Sequence, residues 1–149
     1  ICAALWADWW GFKHEAYDMT IANIAIVDQA RGGTGCAIVH SDSASGIQRL
    51  NQEAAKALAA GREAGFDISE ERAMTWITKN PAKSLGILEK TGTLENGKDA
   101  DIVIWSGNPF SVYSKAEQVY IDGALAFDKA TNFMPHTDFD LGVKEWEGK

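Results

Sequence analysis

The sequence predicts an α/β fold. Three observations carry it. A helix, a Gly-rich turn and a buried strand follow one another between residues 19 and 40. The periodicity then changes from helical to extended after residue 90. Finally, 46% hydrophobic and 23% charged residues over 149 positions suit a compact core and exclude a disordered chain.

In MTIANIAIVDQA (19–30), Ile21, Ile24 and Ala25 recur at helical spacing behind Thr20, a candidate cap. RGGTG (31–35) breaks this helix, and CAIVH (36–40) has the length and composition of a buried strand. The glycines precede the strand and no Lys-Ser or Lys-Thr follows them, so they read as a tight turn and not as a phosphate-binding loop. SDSASG (41–46) ends the strand in a polar loop, the position at which α/β units carry chemistry. Its Ser41, Ser43 and Ser45 lack the context of a nucleophile elbow and read as loop hydrogen-bonding groups.

From Ile47 to Ala60 a second helix is predicted by Ile47, Leu50, Ala54, Ala57 and Leu58, with Gly61 or Gly65 finishing its packed face. Ser69 caps the next helical stretch, which carries Glu70 and Glu71 in its first turn and ends near Asn80. Asn80-Pro81 then predicts one more short helix over AKSLG, stopped by Gly86. Beyond residue 90 come an Asn96-Gly97 hairpin signal, the strand-like DIVIW, and two extended segments about Asp122-Gly123. Val119, Ile121 and Leu125 alternate as on a half-buried sheet, and Trp105 reads as core between sheet layers. The architectural boundary falls at residues 88 to 92. It divides the chain into 1–90, 91–130 and a tail over 131–149 that holds an isolated His136.

Fourteen Lys and Arg against 21 Asp and Glu give a net charge of −7, which argues against a broad nucleic-acid surface. Residues 1–12, with Asp8 among them, match neither an intact signal peptide nor a membrane span; any targeting segment would lie upstream, so location stays open. Cys2 and Cys36 are too few for a disulfide framework or a four-thiolate zinc site and are expected to be reduced and structural.

The chemical signal is His40-x-Asp42. A two-residue period aims both side chains to one side where the strand meets its loop, as a half-site for a divalent cation whose bound water Asp42 could deprotonate. The same pair also reads as a hydrogen-bonded buried histidine followed by an Asp that caps the next helix. Trp6, Trp9 and Trp10 cover a core or line an apolar substrate cavity. Lys13, His14 and Glu15 read as solvent-facing charge unless they approach the Asp42 loop.

SD at 41–42, NPAKSLGI at 80–87, GTLENGKDADIVIW at 92–105 and VYIDGALAFD at 119–128 together resemble the carboxy-terminal part of the metal-dependent amidohydrolases. The likeness is greatest to members related to imidazolonepropionase and to prolidase-like peptidases, and it covers residues 7 to 128. It implies the end of a TIM-like (β/α)8 barrel plus part of a composite β-sandwich, with residues 92–128 as its returning strands and GKDAD as mainly architectural. Asp42 matches the Asp after the eighth barrel strand, implying metal ligation and proton transfer from the attacking water; His40 is a candidate for orienting a ligand from one layer below. Residues 1–12 supply either the end of a seventh strand or only its loop.

The resemblance further implies a divalent metal, zinc for preference, as one or two ions, and a small amide, cyclic amide or dipeptide substrate. The His-x-His pair, the strand-four bridging Lys or carboxylate and the histidines after strands five and six have no counterpart here. A whole barrel needs about 250 residues. The chain is therefore expected to be part of a two-domain hydrolase and inactive alone. A noncatalytic fragment that pairs with missing barrel elements, with itself or with another chain is the second expectation.

Overall fold

The computed structural model describes residues 1–131, so the expectations for His136 and for nearly all of the 131–149 tail lie outside the described residues. The observed fold is mixed α/β. Its elements are β1 (Ala3–Leu5), α1 (Asn23–Gly33), β2 (Ala37–Val39), α2 (Leu50–Glu63), α3 (Glu70–Met74), α4 (Lys79–Leu85), β3 (Ile102–Trp105), β4 (Ala116–Ile121) and β5 (Ala124–Asp128). β1 and β2 pair in parallel, whereas β3, β4 and β5 form a separate antiparallel sheet in that order.

β2 is buried along its whole length, as its apolar run predicts. Period two divides its side chains. Ala37 and Val39 join Ile24 and Ala25 of α1, Ala54, Ala57 and Leu58 of α2, and Trp76 in one core, with Leu5 and Ala7 closing it beside β1. Full burial of each large aliphatic here, Ile24 or Ile68, contributes about 1.5–3 kcal/mol. Ile38 and His40 take the opposite parity, and the register pairs Ile38 with Ala4. Residues 1–12 thus supply a strand as well as its loop.

Two glycines permit close approaches. A Cβ at Gly35 would collide with the Val27 carbonyl oxygen, and one at Gly61 would lie 2.6 Å from the Ala25 Cβ, where α2 crosses α1. A break inside α1 starts one residue before the predicted glycine run: Ala30 is extended, and Arg31 and Gly32 turn left-handed at φ 54° and 71°.

Several elements differ from expectation. α1 begins at Asn23 with no side-chain cap; Thr20 Oγ1 accepts only from Ala22 N at 3.4 Å, and Ile21 lies outside the helix and exposed. Ile47 sits exposed in a 3-10 turn before α2. Ser69 does cap, its Oγ accepting from Arg72 N at 3.1 Å, but α3 stops at Met74 instead of Asn80. The chain leaves the helix through tighter turns, which bring the Trp76 carbonyl to Val39 N at 3.2 Å. Asn80 lies inside α4, where Nδ2 donates to the Ala37 carbonyl at 2.8 Å. Its side chain serves the edge of β2 in place of a helix end, and Gly86 ends α4 at φ 74°.

Cys2 and Cys36 are joined as a disulfide, contrary to the expectation of free thiols. Each precedes one of the paired strands, and the parallel register that brings Ala3 beside Ala37 also sets their Cα atoms 4.5 Å apart, within bridging range.

The most deeply placed polar group was not anticipated. Asp28 is 0% exposed, on the α1 face that carries Ile24 and Ala25. Its carboxylate accepts from Arg72 Nε at 2.9 and 3.0 Å, from Trp76 Nε1 at 2.8 Å and from Gln29 Nε2 at 2.8 Å. Arg72 also donates to the Gly35 carbonyl at 3.0 Å. One carboxylate thereby ties α1, α3 and the entry to β2 together.

In the second sheet, Asp122 and Gly123 form the predicted two-residue hairpin with φ of 50° and 78°, the signs a type I′ turn requires. Asn96-Gly97 makes a turn without paired strands beside it. Trp105 is only half-buried, and Ile121 and Leu125 are 55% and 51% exposed, so no second layer covers these positions among the described residues. The loop after β3 holds this sheet to the helices: Asn51 Nδ2 donates to Pro109 O at 2.6 Å, Asn108 Nδ2 to Glu70 Oε2 at 2.9 Å, and Phe110 packs against the core.

Asp101, the last acid of GKDAD, fastens the hairpin turn. It accepts from Asp122 N at 3.1 Å and from the Thr91 hydroxyl at 2.8 Å. The Asp122 backbone N–H first, and the Thr91 hydroxyl second, hold its carboxyl below the ordinary aspartate value. A depressed folded-state pKa means that this support is complete above the unfolded value and is lost as pH falls through the folded one. The Asp122 amide resonance is expected to show a transition with a midpoint below that of an ordinary aspartate, and to lose that transition in Asp101→Asn. An NMR pH series checks this.

Candidate active site

His40 and Asp42 stand at the carboxyl end of β2. His40 N donates to Leu5 O at 3.1 Å, which continues the parallel ladder one residue past the strand and fixes the base of the loop. Ser43 forms the turn that follows: Ser43 N donates to Ser41 Oγ at 3.1 Å, and Ser43 Oγ accepts from Gly46 N at 3.1 Å. The serines are loop-holding groups, as their spacing predicts.

That arrangement leaves Asp42 outside the hydrogen-bonding of its own loop. Its side chain is 68% exposed, and it caps neither the 3-10 turn nor α2. His40 Nδ1 lies 3.5 Å from Asp42 Oδ1, an electrostatic contact longer than a hydrogen bond. The imidazole is 35% exposed and rests against Trp6, with ring centroids 5.5 Å apart and planes 30° apart. Neither half of the structural alternative, a satisfied buried histidine or a capping aspartate, is realised here.

The loop after β1 forms the adjoining wall. Asn23 Nδ2 donates to Trp6 O at 2.9 Å and anchors the loop to the start of α1. Ala4, Leu5, Trp6, Met19, Thr20, Asn23 and His40 line an open concavity of about 450 Å³. Trp6 Nε1 is buried without a hydrogen-bond partner among the described residues. Trp9 and Phe12 pack on Trp6, whereas Trp10 is 56% exposed. Lys13 reaches back over the Trp6 and Phe12 rings, while His14 and Glu15 lie in an exposed 3-10 turn.

A carboxylate and an imidazole suit a divalent cation, but a closed coordination shell needs more donors. No group of three or more His, Cys, Asp or Glu able to hold a metal occurs among the described residues. His40 and Asp42 fit one corner of a metal site, not a complete one.

The amidohydrolase family profile matches residues 24–134, well over half of the chain. The chain belongs to the amidohydrolase family. It is similar to the amidohydrolase tasK of Hapsidospora irregularis, with 33% identity over 126 residues that cover 84% of this chain and 12% of that protein. An imidazolonepropionase of Thermoplasma volcanium is 41% identical over 69 residues, 42% of this chain and 17% of that one. Among solved structures, an amidohydrolase from Thermotoga maritima superposes with a TM-score of 0.64 at 36% identity, covering 78% of this chain and 28% of its own. The amidohydrolase chain described here therefore spans between about an eighth and somewhat over a quarter of the length of these relatives. The family generally uses divalent metals.

Proposed function

We propose that this amidohydrolase segment forms the closing strands of a TIM-like barrel and the returning strands of a composite β-sandwich, and that Asp42 serves the hydrolytic centre of the whole enzyme. The observation that carries this reading is an exposed carboxylate, free of its own loop's hydrogen bonds, at the carboxyl end of a buried parallel strand. In barrel enzymes of this kind that end of the strand is where catalytic groups stand. The exposed apolar side chains of Ile104 and Leu125, which the register puts on one face of the second sheet, support the sandwich part, since a sheet with such a face is stable under a second layer.

In the whole enzyme Asp42 is one ligand of a divalent metal, in our reading zinc as one or two ions, together with donors this chain does not contribute. When bound, the metal supplies Lewis acidity and a more acidic water. Asp42 would accept a proton from the attacking water and return it to the leaving nitrogen of a small amide, cyclic amide or dipeptide of the prolidase-like kind. His40, 3.5 Å away and fixed against Trp6, holds the Asp42 carboxylate in its orientation. The chain alone is inactive on this reading, because it supplies only one corner of the centre.

Asp42→Asn keeps the shape and removes the proton acceptor. Hydrolysis of amide or dipeptide substrates by the whole enzyme is expected to fall at least about a hundredfold, with loss of bound metal by elemental analysis. Unchanged turnover with unchanged metal content would overturn the assignment.

A further inference from the structure

The loop after β1 gathers three aromatic rings around one positive charge. Trp6 and Trp9 stack with centroids 5.8 Å apart and planes 24° apart. Phe12 stands nearly perpendicular to both, 5.2 Å from Trp6 and 5.3 Å from Trp9. The Lys13 ammonium occupies the corner so formed, 5.2 Å from the Phe12 centroid and 5.6 Å from that of Trp6. Both distances lie within the range of about 6 Å over which a ring face attracts a cation.

Two further observations define what the corner takes. No carboxylate of the described residues pairs with Lys13, so the aromatic faces are what its ammonium has in place of a counter-ion. Lys13 is also the sole Lys or Arg in residues 1–30, where Glu15 and Asp18 add negative charge while Asp8 is neutralised by Lys56 at 2.9 Å, so this stretch favours a cation over an anion. Lys13 and Phe12 are exposed, which leaves the lysine free to swing out into water. The corner adjoins the candidate active site through Trp6, whose ring meets His40 at 5.5 Å, and His40 in turn faces Asp42.

We propose that the Trp6–Phe12 corner is a cation-binding subsite, occupied by Lys13 in the free protein, which receives an ammonium, quaternary ammonium or guanidinium group of the substrate when Lys13 moves out. The seat itself stands on the aromatic geometry; its service to a substrate rests on the reading of Asp42 above. It narrows the substrate class to amides that carry a positive charge on one side of the scissile bond.

Choline as the cationic probe and 3,3-dimethyl-1-butanol as its neutral counterpart, titrated against the full chain by tryptophan fluorescence, test this. Far-UV circular dichroism confirms that each variant is folded. Choline is expected to quench saturably and the neutral alcohol not to. Lys13→Gln removes the tethered competitor and should tighten choline binding about three- to tenfold, whereas adding Phe12→Leu to that variant should weaken it again by a similar factor. Equal binding of the alcohol, choline binding unmoved by Lys13→Gln, or acetate binding that depends on Lys13 would overturn the proposal. The titration reads binding without turnover, so its failure leaves the Asp42 assignment standing, and failure of the Asp42→Asn test leaves the cation seat standing.

Discussion

Asp28→Ala is expected to lower the stability of the folded chain by about 3–5 kcal/mol, roughly a fifth or more of the whole for an ordinary domain. The truncation removes a fully buried carboxylate and strands three donors together: the Arg72 guanidinium, the Trp76 indole N–H and the Gln29 amide. Arg72 is partly exposed and can turn toward water, but Trp76 is fully buried and its N–H cannot. Asp28→Asn keeps an oxygen for Trp76 while removing the charge, so it should fall between wild type and Asp28→Ala. Urea unfolding followed by tryptophan fluorescence measures both. A midpoint for Asp28→Ala within experimental scatter of wild type would show that the network contributes nothing net.

Reduction of the Cys2–Cys36 bridge is the second large expected effect. The bridge closes a loop of 34 residues in sequence separation, for which the chain-entropy model gives roughly 3–4 kcal/mol. The loss should appear as a fall in Tm of roughly 10 °C for a chain of this size. Its structural origin is local: β1 is only three residues long, and its pairing to β2 is the only sheet contact that holds it among the described residues. Calorimetry with and without dithiothreitol, repeated on Cys2→Ser, distinguishes the bridge from a general effect of reductant. Identical melting under all four conditions would mean that the parallel pair needs no covalent tie.

The elements legible in the sequence are those whose signal is local. The apolar run of β2, the small-residue face of α2, the Ser69 cap, the Gly86 stop and the Asp122-Gly123 turn each rest on a few adjacent residues, and each forms where its chemistry places it. The misplaced features depend on partners distant in sequence. Asn80 has the composition of a cap but meets a carbonyl 43 residues away, and the helix expected to reach it unwinds so that Trp76 O can serve Val39 N. The cysteines are brought together by the parallel register, which no signal in the adjacent residues specifies. Asp28 did leave a trace, a carboxylate at the helical position after Ile24 and Ala25 on an apolar face, which requires a buried donor somewhere in the chain. At the site, the position and exposure of Asp42 follow from the strand-to-loop grammar, whereas the Trp6–Phe12–Lys13 corner does not, because ring orientation leaves no mark in residue spacing.

The two sheets also differ in when they can form. The β4–β5 pair closes across two residues, and hairpins of that kind assemble in microseconds once the chain collapses. The β1–β2 pair joins segments separated by a helix and two turns, and it must first meet the entropy of closing that long loop. The β1–β2 pair that carries His40 and Asp42 at one end is therefore expected to be organised after the hairpin, and the Cys2 and Cys36 thiols at its other end meet in their native geometry with that slow pairing.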